Sequence, residues 1–426
     1  MYRDTVRSLN RNMHLFLRAA AFICIAQGID AILFSLFLLS KNTGTAAITQ
    51  IEAMRFWAGL FLSVPCGLLS DRLGRKRAMR IGLVGIVLAM YLRATLNNPL
   101  ALMAVTFFLG AANSLTFISI SPFIAEQVEK ERHATVYAFM SAFYTGIGVL
   151  GFFLGGLLPD IMVRFGIPLV QGQKTSMLFA CLLMALALLP TSFIKTTSAK
   201  EAHAHTETSP ADAQNLPHLD IHQGSTGLAA LSATARRRLV SLALPEVLAG
   251  TGSGMFMPLY AVFLSVRHAM SSSSIGILQS VGEVAIFAGV FITPLLAKRF
   301  GLSNTIGSMV FLSAPFLLLL ANSPYVPLVI VAFLMRDALM NATNPLKATL
   351  WAQSFPAKHR GFCNGCLEMS FSLSRAALAS LSGVISESIG FSALFSWASL
   401  FYALAGGLFI ILNRTAEEQN RQALTE

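Results

Sequence analysis

Five ionisable residues stand deep inside long apolar runs of this sequence: Asp30, Glu283, Arg336, Asp337 and Arg375. An ionisable group at bilayer depth is costly, so each is by default a candidate for holding a solute or carrying a proton. The tally is three carboxylates against two guanidinium groups. One acid is therefore short of a cation, and such an acid can take up and release a proton. Asp30 and Glu283 are the candidates for that role. At about 100° per residue, Asp337, Asn341 and Asn344 share one helical face, and Glu368, Ser372, Arg375 and Ser382 form one stripe. Both stripes read as walls of a polar cavity. The competing reading, that all five charges pair to stabilise a bundle, stays open. Lys347 lies nearer the end of its run, can snorkel to the surface, and carries less weight.

The elements that position these residues are membrane helices. The chain has 426 residues, 55% of them hydrophobic and 12% charged. A soluble domain carries about 25% charged residues. Here uncharged runs of roughly 20 residues recur, the length that crosses the hydrocarbon core. The class is an all-α integral membrane protein with twelve expected spans. The first six are placed at 15–39, 52–70, 79–96, 100–126, 135–159 and 175–194. The second six are placed at 239–265, 272–296, 303–322, 326–352, 364–388 and 392–412. Residues 1–14 and 413–426 are polar tails. Two six-helix bundles, 15–194 and 239–412, flank a polar linker at 195–238 that is rich in Ser, Thr, Ala, His and Pro and shows no period. Such a composition reads as a disordered loop.

The net charge of +11 is explained by topology rather than by nucleic acid. Most Lys and Arg fall in alternate connecting segments, with Lys41, Arg164, Lys174 and Arg267 on the opposite side. That bias places both termini in the cytoplasm, and the excess cations are expected to attract anionic lipid headgroups. Cys24, Cys66, Cys181, Cys363 and Cys366 lie in or beside apolar runs and imply no disulfide framework. The Cys363–Cys366 spacing suits a redox or metal pair, yet no second ligand pair is near, so small residues at a helix start explain it. His203, His205, His218 and His222 are scattered through the linker and read as solvated. No cleavable signal peptide is apparent, since the first apolar run has spanning length.

The most specific motif is GLLSDRLGRKR, Gly67 to Arg77, between the second and third spans. Asp71 sits among Arg72, Arg75, Lys76, Arg77 and Arg80. A weaker copy, Pro294-Leu-Leu-Ala-Lys-Arg-Phe-Gly301, follows the eighth span about half the chain later, with Lys298 in the place of Asp71. Ser121-Pro122 is likewise echoed by Asn344-Pro345. In Gly67, Asp71, Arg72, Gly74, Arg75 and Lys76 the chain resembles the major facilitator superfamily, and the span count and central loop extend that resemblance to nearly its whole length. The resemblance implies two pseudo-repeated six-helix bundles with a solute site between them near the midplane. It also implies that the motif is a latch, in which Asp and Arg bind neighbouring helix ends and shut the cytoplasmic side in one state. Drug-exporting, proton-driven members carry a GPxxGG pattern in helix 5. Here Gly151-Phe-Phe-Leu-Gly155-Gly156 has Phe in the Pro position, and Thr106 stands where those members have a helix-4 Arg.

Interrupted helices often flank transport sites, and the Gly250-Thr-Gly-Ser-Gly254 run marks the seventh span as the most interrupted. No phosphate-cradling loop and no nucleophile or metal constellation is present, so neither ATP hydrolysis nor enzymatic chemistry is expected. The function expected is secondary transport of a small organic solute, with proton-coupled efflux as the leading form. Proton-coupled uptake of a metabolite, siderophore or organic anion is the alternative, with Arg336 and Arg375 as anion partners. The expected partners are solute, protons and lipid; no cofactor and no metal are expected. The expected form is a monomer in a bacterial inner membrane. A reading of another class is a transporter-like sensor or assembly partner acting through the His-containing loop. Deleting residues 200–230 separates the two: a transporter keeps its flux, whereas a sensor that uses the loop loses its signalling.

Overall fold

A computed structural model describes residues 9–129, 132–194 and 231–422. Residues 1–8, 130–131, the linker residues 195–230 with their four histidines, and residues 423–426 lie outside the described part. The hydrocarbon core offers backbone groups no partner, so each apolar run closes its own hydrogen bonds as a helix. Among the described residues, twelve helices of spanning length result. The first bundle comprises α1 (Arg11–Ser40), α2 (Thr45–Leu73), α3 (Arg75–Thr95), α4 (Pro99–Gln127), α5 (His133–Arg164) and α6 (Leu169–Leu186, continued by Leu188–Ser192). The second comprises α7 (Ala233–Phe256, resumed at Tyr260–His268), α8 (Ser272–Phe300), α9 (Leu302–Asn322), α10 (Val326–Asn341, resumed at Asn344–Ser354), α11 (Ala357–Ile389) and α12 (Phe391–Gln422).

Local sequence explains the ends. Asn10, Asn98 and Ser271 accept N–H bonds from Met13, Leu100 and Ser274 at 2.8, 2.9 and 3.3 Å, as N-caps do. Gly74 closes α2 with φ 81° and Gly301 closes α8 with φ 87°, a conformation open to glycine. The two copies of the motif thus make the same turn. Eleven of the helices are long and apolar enough to cross a membrane by composition. The exception is α11, whose apolar surface is diluted by Lys358, His359, Arg360, Glu368, Arg375 and Glu387.

Two expectations are corrected. Helix α2 starts at Thr45, not at residue 52, which brings Glu52 inside the helix. Helix α7 runs unbroken through Gly250–Gly254 and breaks instead at 257–259, around Pro258. The glycines serve close packing. A Cβ at Gly250 would meet Ser374 and Phe371 of α11, and one at Gly252 would meet Tyr402 of α12. The Gly151–Gly156 stripe of α5 works similarly on two sides: Gly151 packs on α1 at Gly28, and Gly156 packs on α8 at Gly276.

The bundles meet in a seam at the end that carries the 41–44, 165–168, 269–271 and Gly390 turns, opposite the termini. There α2 crosses α11. Ala46 N–H and the Thr45 hydroxyl donate to Glu387 Oε1 at 2.9 and 3.1 Å, Gly383 N–H donates to Thr49 Oγ1 at 3.1 Å, and Trp57 Nε1–H donates to Ser380 at 3.0 Å. Helix α5 crosses α8 by the same logic: Ser273 N–H donates to Asp160 Oδ2 at 3.0 Å, and Ser280 donates to the Val149 carbonyl at 3.0 Å. In each crossing a carboxylate near the end of one helix accepts from the N-terminus of the other bundle's helix, where the dipole favours negative charge. The N-cap residue of α2 is Gly44, which has no side chain to cap with, so Glu387 caps that helix from across the seam.

At the termini end the bundles part. Buried residues of α2 cluster from Ile48 to Ala58, and those of α8 from Ser272 to Gly282; beyond them Phe61, Val64, Leu68, Phe291 and Leu295 are exposed. The apolar core divides in the same way. One cluster is shared by both bundles towards the seam, while Met13, Phe16, Phe123 and Val136 form a separate cluster in the first bundle, and Leu239, Leu346, Phe355 and Leu367 form another in the second. The packing shared by the two bundles is thus concentrated towards the seam end. A Cβ at Gly383 would collide with the Thr45 carbonyl oxygen and the Thr49 hydroxyl, so Gly383→Val is expected to force the seam apart. Spin labels at Asn42 and Ser388 should report a longer distance in that variant than in the parent. An unchanged distance would mean that the seam tolerates the added side chain.

Candidate functional site

Counted inward from the seam end, Asp30, Glu283, Asp337, Arg375 and Tyr402 all lie on the order of 15–20 Å down their helices at 1.5 Å per residue. They form one charged layer near mid-depth. Its first-bundle part is built on Arg93 of α3, which is 1% exposed. The Arg93 guanidinium donates to Asp30 Oδ2 of α1 at 2.5 Å and to Glu52 Oε1 of α2 at 3.1 Å, and it stacks 3.4 Å above the Phe34 ring. Glu52 in turn pairs with Arg55 at 3.2 Å. Three helices are tied together by one forked cation.

The second-bundle part is built on Arg336 of α10. It pairs with Asp337 at 3.0 Å, donates to the Tyr402 hydroxyl, and lies between the rings of Phe256 and Tyr402 at 4.3 and 5.1 Å. Asn341 donates to Asp337 Oδ1 at 2.9 Å. The expected face of α10 thus brings Asp337 and Asn341 together, whereas Asn344 begins the segment beyond the helix break. A further buried pair, Lys347 with Glu246 at 2.9 Å, lies nearer the termini end. Tyr260, at the start of the resumed α7, stands within electrostatic reach of Asp337 and Glu283 in its own bundle and of Arg55 and Glu52 in the other.

Two members of the layer have no ion-pair partner among the described residues. Glu283 of α8 accepts only a long bond of 3.5 Å from Gln279 and faces Asp337. Arg375 of α11 stacks across the seam on Phe56 of α2, 4.3 Å from its centroid. The surplus of carboxylates expected from sequence disappears, because Glu52, Arg55, Arg93, Glu246 and Lys347 join the tally. Asp30 is not short of a cation. Glu52 and Arg55 escape a sequence reading because α2 starts earlier than its hydropathy suggests. Arg93 escapes because it stands near the end of its span, where a snorkelling cation is ordinary. A cation directly inside Leu92-Arg93-Ala94, within helical reach of an acid-bearing run, was the available signal.

The GLLSDRLGRKR motif lies at the termini end. Arg75 pairs with Asp71 one turn before it, approaches Glu126 of α4 at 3.8 Å and donates to Ser70 at 3.3 Å; Lys76 donates to the Ile194 carbonyl. These contacts stay within the first bundle, so in this conformation they do not join the two. Towards the same end, α1, α4 and α5 enclose an aromatic hollow of about 370 Å³ lined by Phe16, Gln27, Phe117, Tyr144 and Phe152. At the seam end a separate hollow is lined by Lys41, Asn97 and Lys174. There burial, and then the neighbouring Lys174, push the Lys41 ammonium below its ordinary range.

Two repeated six-helix bundles facing one another across a charged mid-depth layer define a multi-pass membrane transport protein. The chain belongs to the Major Facilitator Superfamily, whose family model matches residues 18–244 and 242–425. Among solved structures it is similar to a mutant form of the nucleoside transporter NupG, with 14% identity and a TM-score of 0.74 over 95% of this chain and 100% of that one. It is similar also to a bacterial homolog of the human lysosomal transporter Spinster in an inward-facing, unoccupied conformation, with 12% identity and a TM-score of 0.71 over 95% and 98%. The human organic anion transporter MFSD10 shares 18% identity at a TM-score of 0.57, over 94% and 99%. No curated protein matches the chain in sequence. At these identities the likeness concerns the fold.

Removing one partner of a buried ion cluster costs about 3–5 kcal/mol. Arg93→Met leaves Asp30 without its ion-pair partner and Glu52 with Arg55 alone, and is expected to lower the unfolding temperature in detergent steeply. Asp30→Asn keeps Arg93 paired with Glu52 and should cost much less. Equal small shifts for the two variants would show that Arg93 does not hold the cluster.

Proposed function

We propose that this chain is a proton-coupled secondary transporter that exports an amphipathic organic solute by alternating access. The observation that carries the reading is Glu283. It is the one mid-depth carboxylate of the layer without a cation partner among the described residues, on a helix that forms the seam. A carboxylate held by a cation keeps its charge, whereas one set beside Gln279, Asp337 and Tyr260 can exchange its charge for a proton. Asp30, neutralised by Arg93, is assigned to the scaffold. Asp337 and Asn341, anchored by Arg336, form the wall that Glu283 faces.

The seam closed at one end and the bundles splayed at the other support an inward-open state with both termini in the cytoplasm, in keeping with the charge bias of the loops. Closing the termini end would carry Gly67, Asp71, Arg72, Gly74, Arg75 and Lys76 towards the helix ends of the second bundle, where the motif serves as the latch. Its second copy has Lys298 in place of the acid and contributes no equivalent anion. The aromatic hollow suits the apolar part of an amphipathic solute. Proton-coupled uptake of an organic anion is the second reading, favoured by the unpaired Arg375.

The test is flux in proteoliposomes under an imposed pH gradient of either polarity. Wild-type flux should follow the gradient, with export when the opposite side is acidic. Glu283→Gln should make flux independent of the gradient, while Asp30→Asn keeps the dependence if the protein folds. A gradient-driven flux that survives E283Q would remove the proton assignment, and flux driven only in the uptake polarity would favour the second reading.

A further inference from the structure

We propose that the solute carries an oxyanion (carboxylate, phosphate or sulfonate), held between Arg55 of the first bundle and Arg375 of the second over the face of Phe56. The proposal rests on the transporter reading above and specifies the chemistry of the solute.

Both guanidinium groups address one ring. The Cζ atom of Arg375 lies 4.3 Å from the Phe56 centroid and that of Arg55 lies 4.9 Å from it. The two cations are therefore no farther apart than those distances together allow. They come from α11 and α2, the helices that cross at the seam, one from each bundle. Each keeps a buried Nε–H with no acceptor. Arg55 has only a share of Glu52, which is bound more squarely by Arg93. Arg375 has no ion pair among the described residues, and its electrostatic neighbours include two further cations, Arg55 and Arg336, with Glu368 the lone acid.

Two like charges beside each other in a low-dielectric layer repel unless an anion joins them. The other cations of the layer each hold an acid of their own, Arg93 with Asp30 and Glu52, Arg336 with Asp337 and Lys347 with Glu246, although the Nε–H groups of Arg93 and Arg336 are likewise without an acceptor. Among the described residues of the layer, Arg55 has only a shared acid and Arg375 has none. A guanidinium fork matches an oxyanion in two parallel bonds. The Phe56 ring that both groups contact adds an apolar surface beside the charges. Such a ligand joins the first bundle to the second directly, so its chemistry is read by both halves of the carrier at once.

The test uses the full-length protein in detergent, titrated with 2-naphthoate, 2-naphthyl phosphate and 2-naphthalenesulfonate, each against uncharged 2-naphthamide. Calorimetry and ligand-induced melting shifts are the readouts. At least one oxyanion should bind about tenfold more tightly than the amide, the worth of a charge-assisted hydrogen bond. Arg375→Gln and Arg55→Gln should each remove that preference, and Arg375→Lys should keep part of it. Unliganded melting of each variant reports folding, and should R375Q not fold, R55Q and R375K carry the comparison. The proposal fails if no oxyanion outcompetes the amide, or if the preference survives both Gln substitutions. Binding by Glu283→Gln separates the two readings. Oxyanion preference intact with flux insensitive to the gradient in wild type overturns proton coupling alone. Gradient-driven flux of a neutral or cationic solute without oxyanion binding overturns the clamp alone.

Discussion

Charge inside a hydrocarbon slab must be neutralised where it stands, and this constraint organises the whole molecule. Arg93 meets it for the first bundle by joining α1, α2 and α3 through Asp30, Glu52 and the Phe34 ring. Arg336 meets it for the second through Asp337, Tyr402 and Phe256. These buried ion pairs each stay within one bundle. The consequence is mechanical: the bundles can move against each other without stripping these pairs apart at great cost.

The contacts between bundles are of a different kind. They are hydrogen bonds to hydroxyls, carboxylates set on helix dipoles, the stack of Arg375 on Phe56, and close backbone approaches at Gly156, Gly276 and Gly383. Each is weak compared with a buried ion pair, and each depends on fit. The α2–α11 and α5–α8 crossings repeat one design, a carboxylate of the fifth helix of one half on the N-terminus of the second helix of the other. The internal repeat visible in the loop sequences after helices 2 and 8 thus has a counterpart at the opposite end, in residues that share no obvious motif.

Much of the fold was legible from the residues. Apolar runs near spanning length, the motif with its second copy and the polar linker led to two six-helix bundles, and Gly74 and Gly301 make the same turn because the same backbone demand recurs. The site was legible only in part. Residues in the middle of an apolar run, such as Asp337 and Arg375, stand out because nothing else explains them. Residues near a run's edge, such as Glu52 and Arg93, do not, since hydropathy cannot tell a buried pair from a snorkelling cation. Pairing itself is a three-dimensional property: Asp30 and Glu283 look alike in sequence and differ because α3 brings Arg93 to one, while among the described residues no cation reaches the other. The Gly250–Gly254 run misleads for a related reason, as glycine marks a helix break and a tight helix crossing with the same letter.

Gly44 leaves the first turn of α2 without a cap of its own, and Glu387 takes that role from the other bundle. When the seam parts, the bond that Ala46 N–H makes with Glu387 is lost, and nothing in Gly44 can replace it. Water is the acceptor at hand. Wetting of that end is then a thermodynamic condition of its opening rather than a by-product, so parting of the seam depends on how readily a few solvent molecules enter a single helical turn.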